Sequence, residues 1–348
     1  MLSFKRGLAL CALLAVTALA PIAAAQWDDH FEKGKKALAN KDFRNAEDHL
    51  IAALGEAGTS VEKRRTYLLL ATLYRKTRQW AAAAPLLEDV MAIHRKEGTD
   101  KSPEAGGALN KLGIVYHQMK EYDKAEAAYE GSLAIKRLRY RRNRASIAAV
   151  ETNLAELYRR RKDWSKAEKM LQEAIAAKER ELGPEHPSLV SSLVDLGLVY
   201  SNLSQFAKAK PPLERALELA STSDEGNKYL GTVYHNLGIV YAAESKLEQA
   251  RAAYEKALTL REQEHGPNHP QVASTLNNLG NTMTQLGDPK AGAAHFERAI
   301  KVRELEYGKR SPEVARTLRN YLFTLERLGD KAKTDEVKAR LAAIGGSK

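Results

Sequence analysis

The sequence predicts an all-α solenoid of antiparallel helical hairpins, and three observations lead to that class. Apolar residues recur at helical spacing in two successive segments of residues 228–270, where Leu237 and Tyr241 mark one helix and Ala250 and Tyr254 the next. The same pattern returns about every 42 residues along the chain. No strand-like alternation competes with it. Because a single hairpin cannot bury both of its apolar faces, each unit requires neighbours on either side.

The repeat is most regular at a large residue in the first helix of each unit, in steps of 41 or 42 residues: Tyr74, Tyr116, Tyr158, Tyr200, Tyr241, Met283 and Leu325. A leucine followed by a small residue precedes it, as in Leu237-Gly238. The second helix carries an alanine, at Ala46, Ala83, Ala125, Ala167, Ala209 and Ala250. Small residues on both helices let the two helices cross closely, and aromatic side chains fill the space between hairpins.

This pattern resembles the tetratricopeptide repeat, from about Trp27 to at least Ala299. The 42-residue period, Gly-Pro-x-His-Pro at Gly183–Pro187 and Gly266–Pro270, and Leu-Asn-Asn-Leu-Gly at Leu276–Gly280 resemble the kinesin-light-chain subclass. The resemblance implies a right-handed superhelical solenoid that acts as a non-catalytic scaffold. It also implies that a peptide or partner protein lies in a concave groove, and it names no particular partner.

The beginning of the chain has the layout of a secretory signal peptide. Lys5 and Arg6 precede an apolar run at Gly7–Ala20, and Ala23–Ala25 then offers small residues for cleavage. Residues 1–25 are therefore predicted to be a signal peptide, and the protein to be exported, most simply to a bacterial periplasm. Full secretion and retention of the run as an N-terminal membrane anchor are the alternatives.

Cleavage would also change the composition of the mature chain. The full chain has a formal charge of +11, and removal of residues 1–25 takes away two positive charges and no negative one, leaving +9. It would also remove Cys11, the only cysteine. A chain without thiols suits an oxidising compartment. The basic balance favours acidic partners in general.

Two further segments complete the predicted organisation. The repeat array is predicted to cover residues 26–330 in seven to eight hairpins, and residues 331–348 to form a C-terminal capping helix with a polar outer face and a tail. The pair Gly106-Gly107 weakens the start of its helix, by about 1 kcal/mol per glycine relative to alanine, and the sequence offers no packing reason for it.

Polar residues at recurring first-helix positions form the candidate peptide-binding groove. In proteins that the chain resembles, an asparagine ladder just before the motif leucine binds the backbone of an extended peptide, and the amide offers both a donor and an acceptor. Here the predicted groove residues are Asn110, Asn153, Arg160, Asp195, Asn202, Asn236, Asn277, Asn278, Asn281, Gln285 and Asn320. The alternative is that these residues only connect neighbouring helices.

A second candidate site is a basic rim. Six of the nine residues 136–144 are positively charged, and the rim consists of Arg137, Arg139, Arg141, Arg142 and Arg144. It predicts binding of an anionic envelope polymer or an acidic protein, whereas export argues against nucleic acid. The alternative is a solvated edge, because cations are favoured at helix C-termini.

The sequence predicts no enzyme, cofactor, metal or small-molecule substrate. His265 and His269 are separated by Gly266-Pro267, so one helix face cannot present both as ligands. Motifs of zinc proteases, phosphate loops and serine hydrolases are absent from the sequence. His186 and His269 each come directly before a proline that is predicted to start a helix, which predicts a structural role. Assembly into an oligomer through the edges of the array is a third functional class.

Overall fold

The computed structural model describes residues 25–139 and 144–345. In these ranges the regular secondary structure is entirely helical, which confirms the predicted all-α class. The chain divides into two compact units, one ending at Arg161 and the other beginning at Lys162. The predicted signal peptide, residues 1–25, lies outside the described residues except for its last alanine. None of the described helices has the length and apolar character of a membrane span.

The N-terminal unit contains seven helices that follow one another in antiparallel order. Their bounds are residues 25–39 (α1), Phe43–Glu56 (α2), Ser60–Lys76 (α3), Trp80–Lys96 (α4), Pro103–Gln118 (α5), Tyr122–Arg139 (α6) and Arg144–Arg160 (α7). Helices α3 and α4 form one hairpin, and α5 and α6 form the next. Each second helix also packs on the first helix of the following hairpin.

The C-terminal unit continues the same scheme. Its helices are Trp164–Leu182 (α8), Leu189–Asn202 (α9), Phe206–Ala220 (α10), Asp224–Asn227 (α11), Leu230–Ala243 (α12), Leu247–His265 (α13), Pro270–Gln285 (α14), Pro289–Tyr307 (α15), Pro312–Leu328 (α16) and Lys331–Gly345 (α17). The helix pairs of this unit with the most extensive contact are α9 with α10, α12 with α13 and α14 with α15. Helix α17 packs on α16 through Thr334 and Val337, and its other side chains are exposed or half-buried.

Local sequence signals begin the helices, whereas the packed helices hold the turns within the hairpins. Ser102 accepts a hydrogen bond from the Ala105 N–H, with Pro103 in the first turn, so α5 begins at a local capping signal. Six hairpin turns place a lysine, arginine or serine in the left-handed region, among them Lys120 and Ser245, at φ 63° and 59°. This conformation disfavours residues with a side chain, so these turns are held by the helices on either side.

The small residues after the motif leucine are required by close helix crossing. A Cβ atom at Gly238 would lie 2.6 Å from Cε1 of Tyr254 on the second helix, and one at Gly113 would lie 2.5 Å from Cδ1 of Tyr129. Both distances are shorter than a carbon–carbon contact allows. The predicted packing reason for these glycines therefore holds, since any side chain would push the two helices of the hairpin apart.

The pair Gly106-Gly107 gains a partial explanation that the sequence alone did not provide. A Cβ at Gly106 would lie 3.1 Å from Cγ2 of Ile135, and the Ser132 hydroxyl donates to the Gly106 carbonyl at 2.6 Å. Helices α5 and α6 thus approach closely at Gly106. Gly107 faces open space, and nothing in the structure requires a glycine there.

Two polar contacts recur between successive hairpins. In the first, the motif tyrosine donates its hydroxyl to a glutamate on the preceding second helix, as from Tyr74 to Glu47 at 2.7 Å and from Tyr200 to Glu168 at 3.0 Å. Burial together with the Glu47 carboxylate raises the pKa of Tyr74 to about 12. Tyr116 and Tyr158 make the same contact with Glu88 and Glu126. In α16 the motif position is Leu325, and Tyr321, one turn earlier, donates to Glu297 instead.

In the second contact, a basic side chain near the end of a second helix bonds to the start of the next first helix. Arg261 donates to the Gln271 carbonyl, ten residues later, at 3.1 Å and to the Thr275 hydroxyl at 2.7 Å. Lys178 makes the equivalent bonds to the Ser188 carbonyl and the Ser192 hydroxyl. The corresponding residues elsewhere are Lys136 and Arg303. We call these four residues the buried basic bridges; Lys178 is half-buried, and the other three are at most 8% exposed.

Candidate functional site

In each unit, consecutive first helices lie next to one another and form a surface that we call the first-helix face. In the N-terminal unit the contacting pair is α5 with α7. In the C-terminal unit the pairs are α9 with α12, α12 with α14 and α14 with α16. The predicted groove residues occur on these helices. Their local environments differ widely.

Four of these residues form two equivalent amide pairs between adjacent first helices. Asn153 on α7 donates from Nδ2 to Oδ1 of Asn110 on α5 at 3.0 Å. Asn320 on α16 makes the same bond to Asn277 on α14, also at 3.0 Å. These residues therefore do connect neighbouring helices, which was the alternative interpretation. Each paired amide still has unused donor or acceptor capacity.

Two predicted groove residues are buried, and two more are half-buried and lie against other side chains. Asn236 and Asn277 are 5% and 8% exposed. Asn278 accepts a bond from Asn277 at 3.2 Å, and its side chain also contacts Tyr254. Asp195 lies near the bridge residue Lys178, where its charge opposes the lowering of the lysine pKa by burial.

The amides that are available on this face lie on α14 and α9. Asn281 is half-buried and Gln285 is exposed, and in the described structure neither side chain bonds to another residue. They are four residues apart on α14, so they lie on one side of the helix. Asn202, at the end of α9, is exposed and donates to the Leu198 carbonyl of its own helix at 2.8 Å.

The first-helix face of the N-terminal unit also carries charged residues. Arg160 is exposed, and its Nε donates to Glu156 at 2.8 Å, while Arg159 pairs with the same carboxylate at 2.7 Å. Arg75 on α3 and Lys111 on α5 are both half-buried, and burial, with a further contribution from the charge of Arg75, lowers the pKa of Lys111.

Sequence reasoning did not place Arg75 and Lys111 among the residues of the first-helix face. Lys111 occupies the repeat position that Asn153 holds in the next unit, so its departure from the asparagine pattern was the available signal.

The basic rim is described only at Arg137, whose guanidinium pairs with the buried carboxylate of Glu151 at 2.9 Å. The side chains of Arg139, Arg141, Arg142 and Arg144 lie outside the described residues.

Histidines take structural positions near helix starts. His269 precedes α14 and accepts from the Gln271 N–H, and its ring lies 4.3 Å from that of His265 between centroids. His186 accepts from the Ser188 N–H at 3.2 Å. The described part of the chain contains no group of three or more histidine, cysteine or acidic residues placed to hold a metal ion.

The hairpin fold and the polar first-helix face define a helical-repeat protein, and comparison with known families identifies the kind of repeat. The tetratricopeptide repeat family model matches residues 62–138, 146–222 and 229–304, which is more than half of the chain. The chain belongs to the tetratricopeptide repeat family. This family is generally a non-catalytic, protein-interaction fold. No curated protein matches the sequence.

Solved structures share the fold at low sequence identity. BtubC (BKLC) from P. vanneervenii is 22% identical, with a TM-score of 0.55 over 67% of this chain and 92% of that one. The apo quorum sensor NprR from B. thuringiensis is 12% identical, with a TM-score of 0.59 over 91% and 98%. The type IV pilus biogenesis factor PilW is 18% identical, with a TM-score of 0.54 over 70% and 95%.

Proposed function

We propose that this protein is a non-catalytic interaction scaffold that holds an extended segment of a partner protein along its first-helix face. Asn281 and Gln285 carry the proposal, since they present amides on α14 with no bonding partner in the described structure. A carboxamide both donates and accepts, which matches the alternating groups of a peptide backbone. Family membership supports the same class of function.

The asparagine pairs would contribute in a different way. Asn110–Asn153 and Asn277–Asn320 fix the spacing of adjacent first helices through their mutual bonds. A rigid face loses less conformational entropy when a partner binds, so these residues support affinity without needing to contact the partner. The proposal therefore separates contact residues, Asn281 and Gln285, from residues that hold the helices in position.

We further propose export to a periplasm after cleavage behind Ala25. The basic, apolar and small-residue sections of residues 1–25 support this location. The expected result is a mature N-terminus at Gln26, measured by mass spectrometry of protein recovered from the periplasmic fraction. An intact N-terminus in the membrane fraction would instead indicate an anchor.

The roles of PilW in pilus biogenesis and of NprR in quorum sensing belong to those proteins.

A pull-down from native extract tests the binding face. The wild type is compared with the double variant Asn281→Ala, Gln285→Ala, which removes both amides and keeps α14 helical because alanine favours helix. The matched control is Gln249→Ala, Gln263→Ala, which removes two exposed amides from α13, a second helix of the same unit.

We expect a partner that the wild type and the control retain and the α14 variant loses. Thermal unfolding of all three proteins should agree closely, since the substituted side chains make no bonds in the described structure. A partner that all three proteins retain equally would contradict binding on this face and direct attention to the basic rim. Mass that rises with concentration in the absence of a partner would favour self-assembly.

A further inference from the structure

Two histidines face each other in the first hairpin, where α1 and α2 cross closely. A Cβ at Gly34 on α1 would lie 2.7 Å from Cγ of Leu50 on α2. His30 comes one helical turn before Gly34, and His49 is next to Leu50 in the sequence. Because the crossing fixes the spacing of the two backbones, it also limits how far apart the two imidazoles can lie. The two histidines are 19 residues apart on different helices, so no local sequence motif links them.

The facing atoms of this pair are the two Nδ1 nitrogens, which are 3.2 Å apart. The ring centroids of His30 and His49 are 5.4 Å apart, the ring planes make an angle of 47°, and both side chains are half-buried. Two imidazole nitrogens bound to one tetrahedral zinc ion, each at about 2.0–2.1 Å, are about 3.3–3.4 Å from each other. The pair therefore already has the spacing of two ligands of one metal ion. With one proton between them the same nitrogens form a hydrogen bond, so the pair is also stable without metal.

Glu56, at the end of α2, supplies a group that orients the first of these histidines. Its Oε1 lies 3.9 Å from Nε2 of His30, and its Oε2 is buried and has no hydrogen-bond partner in the described structure. A carboxylate on this side favours the tautomer of His30 that carries its proton on Nε2, and this tautomer leaves the Nδ1 lone pair directed at His49. Histidines that bind metals commonly have a carboxylate at their other nitrogen. A bound metal would make the Nε2–H of His30 a stronger donor to this buried carboxylate.

We propose that His30 and His49 bind one zinc ion through their Nδ1 atoms, with water in the remaining positions and Glu56 orienting His30. As the ion binds, the proton on Nδ1 of His49 moves to Nε2 of the same ring, which makes both Nδ1 lone pairs available. The ion would join α1 to α2 in the first hairpin of the described array. A terminal repeat has a neighbour on one side only, so a cross-link within it contributes more than it would inside the array.

Isothermal calorimetry with zinc chloride, on protein purified without a histidine tag, tests the site. The test variants are His30→Gln and His49→Gln, each made singly, and Glu56→Gln tests the orienting carboxylate. The control is the double variant His265→Gln, His269→Gln, which removes two histidines whose ring centroids are 4.3 Å apart in the C-terminal unit. Magnesium chloride serves as the ion that prefers oxygen ligands. Thermal unfolding without zinc verifies that each protein is folded.

We expect one zinc ion per chain, with an affinity that falls at least about tenfold in each single histidine variant and stays within about threefold in the control. Glu56→Gln should weaken zinc binding by about tenfold or more. Without zinc, the same variant should unfold no more easily than the wild type, because it removes a buried, unpaired carboxylate; a purely structural role of Glu56 would show the opposite pattern.

Absence of zinc binding would overturn the proposal and leave a histidine–histidine hydrogen bond only. Equal losses in the test and control variants would also overturn it, as would magnesium binding of similar strength, because carboxylates would then be the ligands. Zinc should raise the unfolding temperature of the wild type and of the control but of neither single histidine variant.

Hydrogen exchange locates the zinc effect. The amides of α1 and α2 should exchange more slowly with zinc, and protection confined to other helices would contradict a clip between these two. The outcome is separate from the test on α14, because a partner can bind or fail to bind the first-helix face whether or not the first hairpin holds zinc.

Discussion

Replacing Thr275 with valine removes the hydroxyl that accepts from Arg261, one of the buried basic bridges. The shape of the side chain stays almost unchanged. Thr275 is fully buried, and its Oγ1 accepts from Nη1 of Arg261 at 2.7 Å. A hydrogen bond to a charged group contributes about 1.5–3 kcal/mol, and its loss here leaves part of a buried guanidinium unsatisfied. We therefore expect the free energy of unfolding to fall by about 2 kcal/mol, within that range.

Thr282 provides the matched control on the same helix. It is 2% exposed, and its hydroxyl donates to the Asn278 carbonyl at 2.9 Å without serving a cation. Thr282→Val should therefore cost less than about 1.5 kcal/mol, the upper end for a bond between neutral groups. Urea unfolding followed by circular dichroism measures both variants, with the slope m checked for a change in cooperativity. Hydrogen exchange of the α14 amides locates the effect, since repeat arrays can open in part.

A double-mutant cycle with Arg261→Met separates the bridge from the general cost of changing each residue. Burial lowers the pKa of Arg261 to about 10, so methionine relieves a desolvation cost while it removes the bonds. If the bond at 2.7 Å carries the stability, the second substitution should cost at least about 1 kcal/mol less in the presence of the first. A Thr275→Val loss no larger than that of Thr282→Val, with no coupling to Arg261, would refute the reasoning.

Two further predictions concern helix crossing and acid stability. Gly238→Ala should destabilise by about 1–3 kcal/mol because its Cβ would lie 2.6 Å from Tyr254, whereas Gly107→Ala, into open space, should stabilise by up to about 1 kcal/mol. Thermal unfolding measures both, and equal shifts would contradict the packing account. Burial, and to a lesser extent the charge of Arg261, holds the pKa of His235 in the folded protein well below its ordinary value. As the pH falls, the unfolded chain therefore takes up a proton at this residue at a higher pH than the folded chain does. Below about pH 6.5 the free energy of unfolding of the wild type should fall by up to about 1.4 kcal/mol per pH unit because of this residue, and His235→Gln should remove that fall. If the free energy of unfolding of the two proteins fell in parallel with pH, the result would contradict this account.

The hairpins and their order could be predicted from sequence because the determinants are local. Leucine-glycine pairs such as Leu237-Gly238 and the alanine of the second helix fix where two adjacent helices cross, and that crossing is the requirement seen at Gly238. Helix starts such as Ser102-Pro103 are equally local. These signals involve residues a few turns apart, so one repeat contains all the information that they need.

The contacts between hairpins were not predicted, although their period is visible in the sequence. Arg261 and Arg303 lie near helix C-termini, where a cation suits the helix dipole and invites no further explanation. Their acceptors, Thr275 and Thr317, look like ordinary helix residues until the next hairpin packs against them. Their role depends on burial, which a sequence position does not state.

The same limit separates the asparagines. Asn236 and Asn281 both lie on first helices and both looked like groove residues. The structure buries Asn236, at 5% exposed, and leaves Asn281 partly accessible without a bonding partner. The depth of each position depends on how closely the neighbouring first helix approaches. Binding by any of these residues stays a prediction.

The amides on α14 predict how binding should respond to salt. Asn281 and Gln285 can bond to any peptide backbone, so they favour affinity with little selectivity. Screening at physiological ionic strength acts over about 8 Å and weakens only charged contributions to binding. If the scaffold proposal holds, rising salt should reduce any preference for charged partners before it abolishes binding, and the affinity that remains at high salt should be the part that depends on α14.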